Sequence, residues 1–172
     1  NGLKKQNRSD ARLDGKTCVV TGATSGVGYK SARWLAQAGA RVVMLCRNAE
    51  KASLVQDELS REYQAESDVF IADMRELAQV SRAAKQIAGK YPKINVLVNN
   101  AGVFNRRRRL TPDGHEEIFG VIHLAAFVLT AGLIPNLKAA APARIIDVNS
   151  EGHRFGGLKM NDLDWSKRPY IA

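Results

Sequence analysis

The stretch Thr17-Cys18-Val19-Val20-Thr21-Gly22-Ala23-Thr24-Ser25-Gly26-Val27-Gly28 decides how the rest of the chain is read. A short apolar, β-branched run leads straight into a glycine-rich turn, and a helical period follows. That order brings backbone close to a bound anion. Gly22 permits a sharp turn, Gly26 lets the backbone approach a pyrophosphate, and Gly28 lets the following helix pack closely on a sheet. Thr24, Ser25 and Val27 complete the loop, and the free N–H groups at the helix start face the anion. The spacing is T-G-x-x-x-G-x-G, which departs from the more usual G-x-G-x-x-G.

Further apolar runs lie downstream at Arg41–Cys46, Val69–Ile71, Ile94–Val98 and Arg144–Val148. They are continuous rather than alternating, as expected of parallel strands buried on both faces. Helical periods separate them. Val27, Ser31, Trp34, Leu35 and Ala38 predict one face of a first helix, with Lys30, Arg33 and Gln37 pointing away and Gly39 as the stop. Ala52, Val55, Leu59 and Tyr63 predict a second stripe. Leu77, Val80, Ala84, Ile87, Ala88 and Tyr91 predict a third, ended by Pro92, and a fourth helix is predicted from about 116 to 137. Strand and helix in alternation imply a doubly wound α/β sheet. Residues 1–13 read as a loose lead-in and 14–172 as one domain.

The excess of 26 lysines and arginines over 17 acids favours anionic partners, and Arg106–Arg109 concentrates four of those cations in one run, read as a solvated loop. No aromatic residues are interleaved with it in the manner of a nucleic-acid surface, so nucleic acid is not an expected partner. His115, His123 and His153 lack metal-ligand spacing, and no metal site is expected. No uninterrupted apolar run of about 18 residues predicts a membrane span, and Asn1–Asp14 carries no apolar signal core. The expected location is the cytoplasm, with an anchor upstream of Asn1 left open. Cys18 and Cys46 fall at opposite ends of neighbouring strands, too far apart for a disulfide, and are expected as free packing thiols.

Together, the glycine turn, Asp73 and Met74 after the third strand, and Asn99-Asn100-Ala101-Gly102 after the fourth resemble the short-chain dehydrogenase/reductase family along nearly the whole chain. Leu110-Thr111-Pro112-Asp113-Gly114 and Ser150-Glu151-Gly152-His153-Arg154-Phe155 are most similar to its retinol-dehydrogenase-like and WW-domain-oxidoreductase-like branch. The resemblance implies a Rossmann-type sheet of order 3-2-1-4-5 without the family's later strands. It gives Asp73 a contact to adenine, and Asn99 to Gly102 a role steadying the sheet beside a nicotinamide cofactor. It also implies hydride transfer between an alcohol and a carbonyl, a small apolar substrate, and a homo-oligomer as an open alternative.

The cofactor reading adds chemistry to the resemblance. A site for NAD usually places an acid at the end of the second strand, on the ribose 2′-hydroxyl. Here that strand ends Leu45-Cys46-Arg47-Asn48, so Arg47 stands where a 2′-phosphate would sit, with Ser25 as a helper, and NADP is expected over NAD. Ser150 matches the family's substrate-orienting serine. Two departures stand beside it. Ile122 occupies the place of the family's relay asparagine, and no Tyr-x-x-x-Lys follows Ser150, since Tyr170 is followed only by Ile171 and Ala172. The expectation is a sequence cut before its acid/base pair, inactive alone, with exposed apolar surface on the fifth strand. A nucleotide-binding pseudoenzyme serving as sensor or scaffold is the alternative.

Overall fold

The computed structural model describes residues 11–150 and 159–170. Five parallel strands form one sheet in the order β3-β2-β1-β4-β5. They are β1 (Thr17–Thr21), β2 (Arg41–Cys46), β3 (Ser67–Ile71), β4 (Val96–Asn99) and β5 (Arg144–Asp147). The helices between them are α1 (Gly26–Gln37), α2 (Ala49–Tyr63), α3 (Leu77–Lys90) and α4 (Ala125–Ala139).

The alternation of side chains along each strand feeds two cores, one on each face of the sheet. Val19, Val43, Leu45 and Leu97 pack with Val80 and Ile87 of α3 and Leu129 and Leu133 of α4. Val20, Val42, Met44 and Val98 point the other way, onto Ala32 and Ala36 of α1 and Ala52, Val55 and Leu59 of α2. Both faces are thus covered, which is why the strand sequences are continuously apolar. Cys18 pairs with Val42, while Cys46 lies one residue past the Thr21–Leu45 pair. Both thiols are free and buried, and burial pushes the Cys18 thiol up to about 12.

Helix α1 corrects the expected face. Its buried residues are Gly28, Ala32 and Ala36, whereas Trp34 is 62% exposed and Val27 61%. Size explains the difference: the residues fully buried against the sheet are small, Trp34 and Val27 are turned outward, and Leu35 of the expected face packs only partly against the same core. Arg33 covers that outer surface, its guanidinium held by the Tyr63 hydroxyl, Glu58 and Glu62. Helices α2 and α3 bury the predicted stripes. Asn48 caps α2 by accepting from the Lys51 N–H at 2.8 Å, and α3 ends at Lys90, just before Pro92.

Strand boundaries shift by one or two residues. Ile94 is buried but precedes β4, its N–H donating to Asn136 O, while the neighbouring Asn95 side chain accepts from the Thr17 N–H. The predicted fourth helix begins as a π-helical turn, Phe119–Leu124, and only then becomes α4. Together these segments also correct the expectation of no membrane-length segment. Phe119–Ala139 is 21 residues long and apolar enough, by length and composition, to cross a bilayer. Its apolar character is interrupted, with glycine, histidine, threonine and asparagine scattered along its length. In the fold it is a core helix: Val121, Ala125, Leu129, Leu133 and Leu137 are buried.

Among the described residues strand β5 has one neighbour only, and Ile145, Ile146 and Val148 are exposed along it, as the sequence led us to expect. At the opposite end of the chain, Leu13 is already tied to the domain, its N–H donating to Ala38 O at 2.7 Å.

The two-sided core makes one expectation direct. Leu129 is fully buried between α3 and the sheet. Leu129→Ala should cost about 2–5 kcal/mol through lost burial and the cavity left behind. Urea unfolding measures this as a lowered midpoint at constant slope.

Candidate functional site

The carboxyl ends of β1 and β4 meet at Thr21, a fully buried threonine. Its Oγ1 accepts the backbone N–H of Asn100 and that of Ala101, each at 2.9 Å, and its hydroxyl reaches Val98 O at 3.4 Å. In return the Asn100 side-chain amide donates to Thr21 O at 2.9 Å and to Gly22 O at 3.4 Å. The glycine turn is thereby stitched to the loop after β4.

Gly22 takes φ +67° there, and a Cβ on it would stand 3.0 Å from Ala101 Cα. Gly28 is tighter: a Cβ would fall 2.3 Å from Asn100 Nδ2 and 2.4 Å from Gly22 O. The absent side chain at Gly28 therefore serves the approach of α1 to the turn and to Asn100, rather than to the sheet as its sequence position suggested. Gly26 differs from both. It has φ +56° and open space around its Cβ position, which suits a place where a ligand approaches the backbone. Ser25 is extended at the helix N-cap, and its side chain makes no capping hydrogen bond.

A cleft of about 500 Å³ opens above these elements. Gly22, Thr24, Ser25 and Val27 line it from the glycine turn, Arg47 from the end of β2, Asp73 and Met74 from the end of β3, and Asn100, Ala101 and Gly102 from the end of β4. Ten of the sequence-predicted residues, taken from four separated segments, thus share one cleft. Gly26 and Gly28 sit in the same turn without lining it. Asn99, expected with them, does not line the cleft. It points to the other side of the sheet, where its Nδ2 donates to Thr130 Oγ1 at 3.1 Å and Asp147 Oδ1 at 2.8 Å. Adjacent residues leaving a strand face opposite ways, so only one of two consecutive asparagines can face the cleft. Asn99 instead lines a neighbouring depression of about 430 Å³, shared with Ile122, Phe127 and Ile145.

Electrostatics divide the cleft. At one end Arg47, Asn48 and Lys51 gather at the start of α2. Asp73 lies across from them and is held by Arg75 at 2.7 Å; Arg75 also approaches Glu117 at 3.7 Å. Burial alone would raise the Asp73 carboxyl, but hydrogen bonds from Arg75 and the nearby Arg47 charge outweigh it and hold it below the usual range. At the other end Val103, Val121 and Val148 make the lining apolar. Sequence reasoning missed Lys51 and Arg75. The three-residue interval from Asn48 to Lys51 carried a signal, since a capped first turn points its residues to the same side as the strand end.

Ser150 is exposed and lies two residues beyond Val148, while Glu151 to Phe155, with His153, fall outside the described residues. Ile122 sits in the π-helical turn beside Gly102, with its Cδ1 3.7 Å from that glycine's Cβ position, and it offers no polar atom there. Tyr170 donates to Glu116 Oε1 at 2.9 Å; burial and that acid push its hydroxyl up to about 12. His115 approaches Asp164 and His123 stacks on Phe119; among the described residues no group of three potential ligands assembles for a metal.

Comparison with known proteins gives these features a context. The family model of short chain dehydrogenases matches residues 16–161. Human retinol dehydrogenase 13 is 36% identical over 163 residues, covering 94% of this chain and 49% of its own length. Mouse retinol dehydrogenase 11 is 38% identical over 164 residues, with 92% and 51% covered. The chain therefore spans about half the length of the curated relatives it matches. Among solved structures, an uncharacterized protein of Mycobacterium paratuberculosis superposes with a TM-score of 0.79 at 33% identity, over 94% of this chain and 56% of that one. An Escherichia coli short chain dehydrogenase in complex with NADPH superposes with a TM-score of 0.76 at 26% identity, over 92% and 66%.

The stitch at Thr21 has a measurable consequence. Thr21→Val keeps the shape but leaves two amides without their acceptor, each worth about 1–3 kcal/mol when buried. Gly28→Ala forces a methyl into space already filled by Gly22 O and Asn100, at a cost of about 1–3 kcal/mol. Both variants should show lower thermal midpoints than Gly26→Ala, which meets only the backbone penalty of about 1–2 kcal/mol for a left-handed residue.

Proposed function

The chain belongs to the short-chain dehydrogenase family, and we propose that within its parent protein it forms the NADP(H)-binding half of an oxidoreductase acting on an apolar alcohol or carbonyl. The observation that carries this reading is the pairing of Arg47 and Lys51 at the end of β2, where no acid is present to meet a ribose 2′-hydroxyl. The cleft runs from these cations along the glycine turn to the apolar lining at Val121 and Val148. The cofactor, when bound, supplies the hydride chemistry.

In this reading Arg47 and Lys51 hold the 2′-phosphate, and the amides at the start of α1 with Thr24 and Ser25 hold the pyrophosphate. Asp73 and Met74 border the adenine, and Asn100, Ala101 and Gly102 border the ribose beyond it. Asn99 braces the sheet from its other face through Thr130 and Asp147. Ser150 orients the substrate oxygen. A serine is a poor acid near neutral pH, Tyr170 is occupied by Glu116, and no Tyr-x-x-x-Lys pair follows Ser150 in these 172 residues to supply the proton. The names of the retinol dehydrogenase relatives and the valine-rich end of the cleft support an apolar substrate. A second reading, a nucleotide-binding sensor or scaffold without turnover, draws its support from Ile122, which cannot relay a proton where the family has asparagine.

Equilibrium titration tests the cofactor assignment. A lost charge-assisted pair costs about 1.5–3 kcal/mol, so Arg47→Ala should weaken NADPH roughly tenfold or more and leave NADH nearly unchanged. Equal losses for both would reject the 2′-phosphate role. The purified chain should show no steady NADPH oxidation with aldehydes or ketones, and turnover there would reject the assignment of the missing proton donor.

A further inference from the structure

We infer that the loop tip from Phe104 to Leu110, with the segment tied to it through Asp164, is a docking face for an anionic lipid surface. The tip is built, not slack. Asn105 Nδ2 donates to Glu117 Oε2 at 2.6 Å, Glu117 N–H donates to Arg109 O at 3.0 Å, and Leu110 bridges to Glu116. Those contacts fix both ends of the loop and leave Arg106–Arg109 exposed between them. The acids nearby are spent elsewhere. Glu117 is turned inward to Asn105 and Arg75, and Asp164 accepts the Glu116 N–H at 2.8 Å. Arg106, Arg107 and Arg109 form no ion pair among the described residues. Arg108 donates to Asp164 O at 2.8 Å, which ties the segment 159–170 to the tip.

Apolar side chains bracket the arginines. Phe104 is 73% exposed, Leu110 51% and, on the tethered segment, Met160 75%. Exposed cations alone would suit any polyanion, but Phe104 is the single ring in the segment 104–110, and no aromatic residue is interleaved among the arginines for successive bases to stack on. Phosphate-level cations flanked by apolar groups free to enter the acyl boundary match a bilayer leaflet rich in acidic lipids. The tip begins immediately after Gly102 and Val103, which line the cleft, so a surface bound here abuts the cleft's rim.

Vesicle co-sedimentation at about 0.1 M salt decides the matter. The chain should partition onto phosphatidylcholine vesicles carrying roughly 30% phosphatidylserine, not onto phosphatidylcholine alone, and high salt should release it. Each cation near such a surface is worth about fivefold, so Arg106→Gln/Arg107→Gln/Arg109→Gln should lower partitioning on the order of a hundredfold. That variant retains Arg108 and its tie to Asp164, and its urea midpoint and NADPH titration should match the parent chain. If its midpoint falls, the single Arg107→Glu reads the same surface, with an expected loss of more than tenfold. Phe104→Ser should weaken binding while keeping its salt dependence. Equal binding to both vesicle types, no vesicle binding, or wild-type partitioning by the arginine variants would overturn the inference. So would a chain that ignores vesicles but binds an oligonucleotide or an acidic peptide.

Discussion

Two amides and one hydroxyl hold the working end of this molecule together. Thr21 Oγ1 receives Asn100 N–H and Ala101 N–H, and Asn100 answers by bonding the carbonyls of Thr21 and Gly22. Parallel strands end without a hairpin, so the loops leaving β1 and β4 have no ladder to register them beyond Val20 and Val98. The threonine supplies that register. It fixes where the glycine turn stands relative to the loop after β4, and so the width of the cleft between them. Gly28 completes the arrangement, because any side chain there would push α1 off the turn and carry its N-terminus away.

The charge distribution follows from the same frame. Cations collect where β2 hands over to α2, at Arg47 and Lys51, and Asp73 is kept ionised opposite them by Arg75. The valines at the other end leave the lining apolar there. A dinucleotide has the same polarity along its length, with phosphates and ribose hydroxyls toward one side and a flat, less polar ring at its far end.

How much of this was legible depended on which physical constraint dominated locally. Strand β2 could be read residue for residue, because a segment buried on both faces has no choice but an unbroken apolar run. The cleft-lining residues of the glycine turn were legible because backbone geometry, not packing, dictates them. The face of α1 was not, because hydrophobicity and burial part company when a helix packs too closely for large side chains: Gly28, Ala32 and Ala36 go in and Trp34 stays out. The side of the sheet that Asn99 faces was hidden for a similar reason, although its steadying role was expected. A motif spells out consecutive letters, whereas a strand end sends them to opposite faces. The π-helical turn at Phe119–Leu124 left no mark in a periodicity that differs from an α-helix by less than one residue per turn.

The strand order also carries a kinetic consequence. Strands β1, β2 and β3 are successive neighbours, each joined through a single helix, so that half of the sheet assembles from short-range contacts. The union of β1 with β4 closes a loop of 78 residues, the separation between Thr17 and Asn95. Closing entropy rises with length, and non-local parallel pairing is slow. During synthesis from the N-terminus, β1 must therefore keep its inner edge vacant until α3 and β4 have left the ribosome. In that interval the Val19 face of the sheet, later covered by α3 and α4, is the surface most open to a chaperone or to another nascent chain.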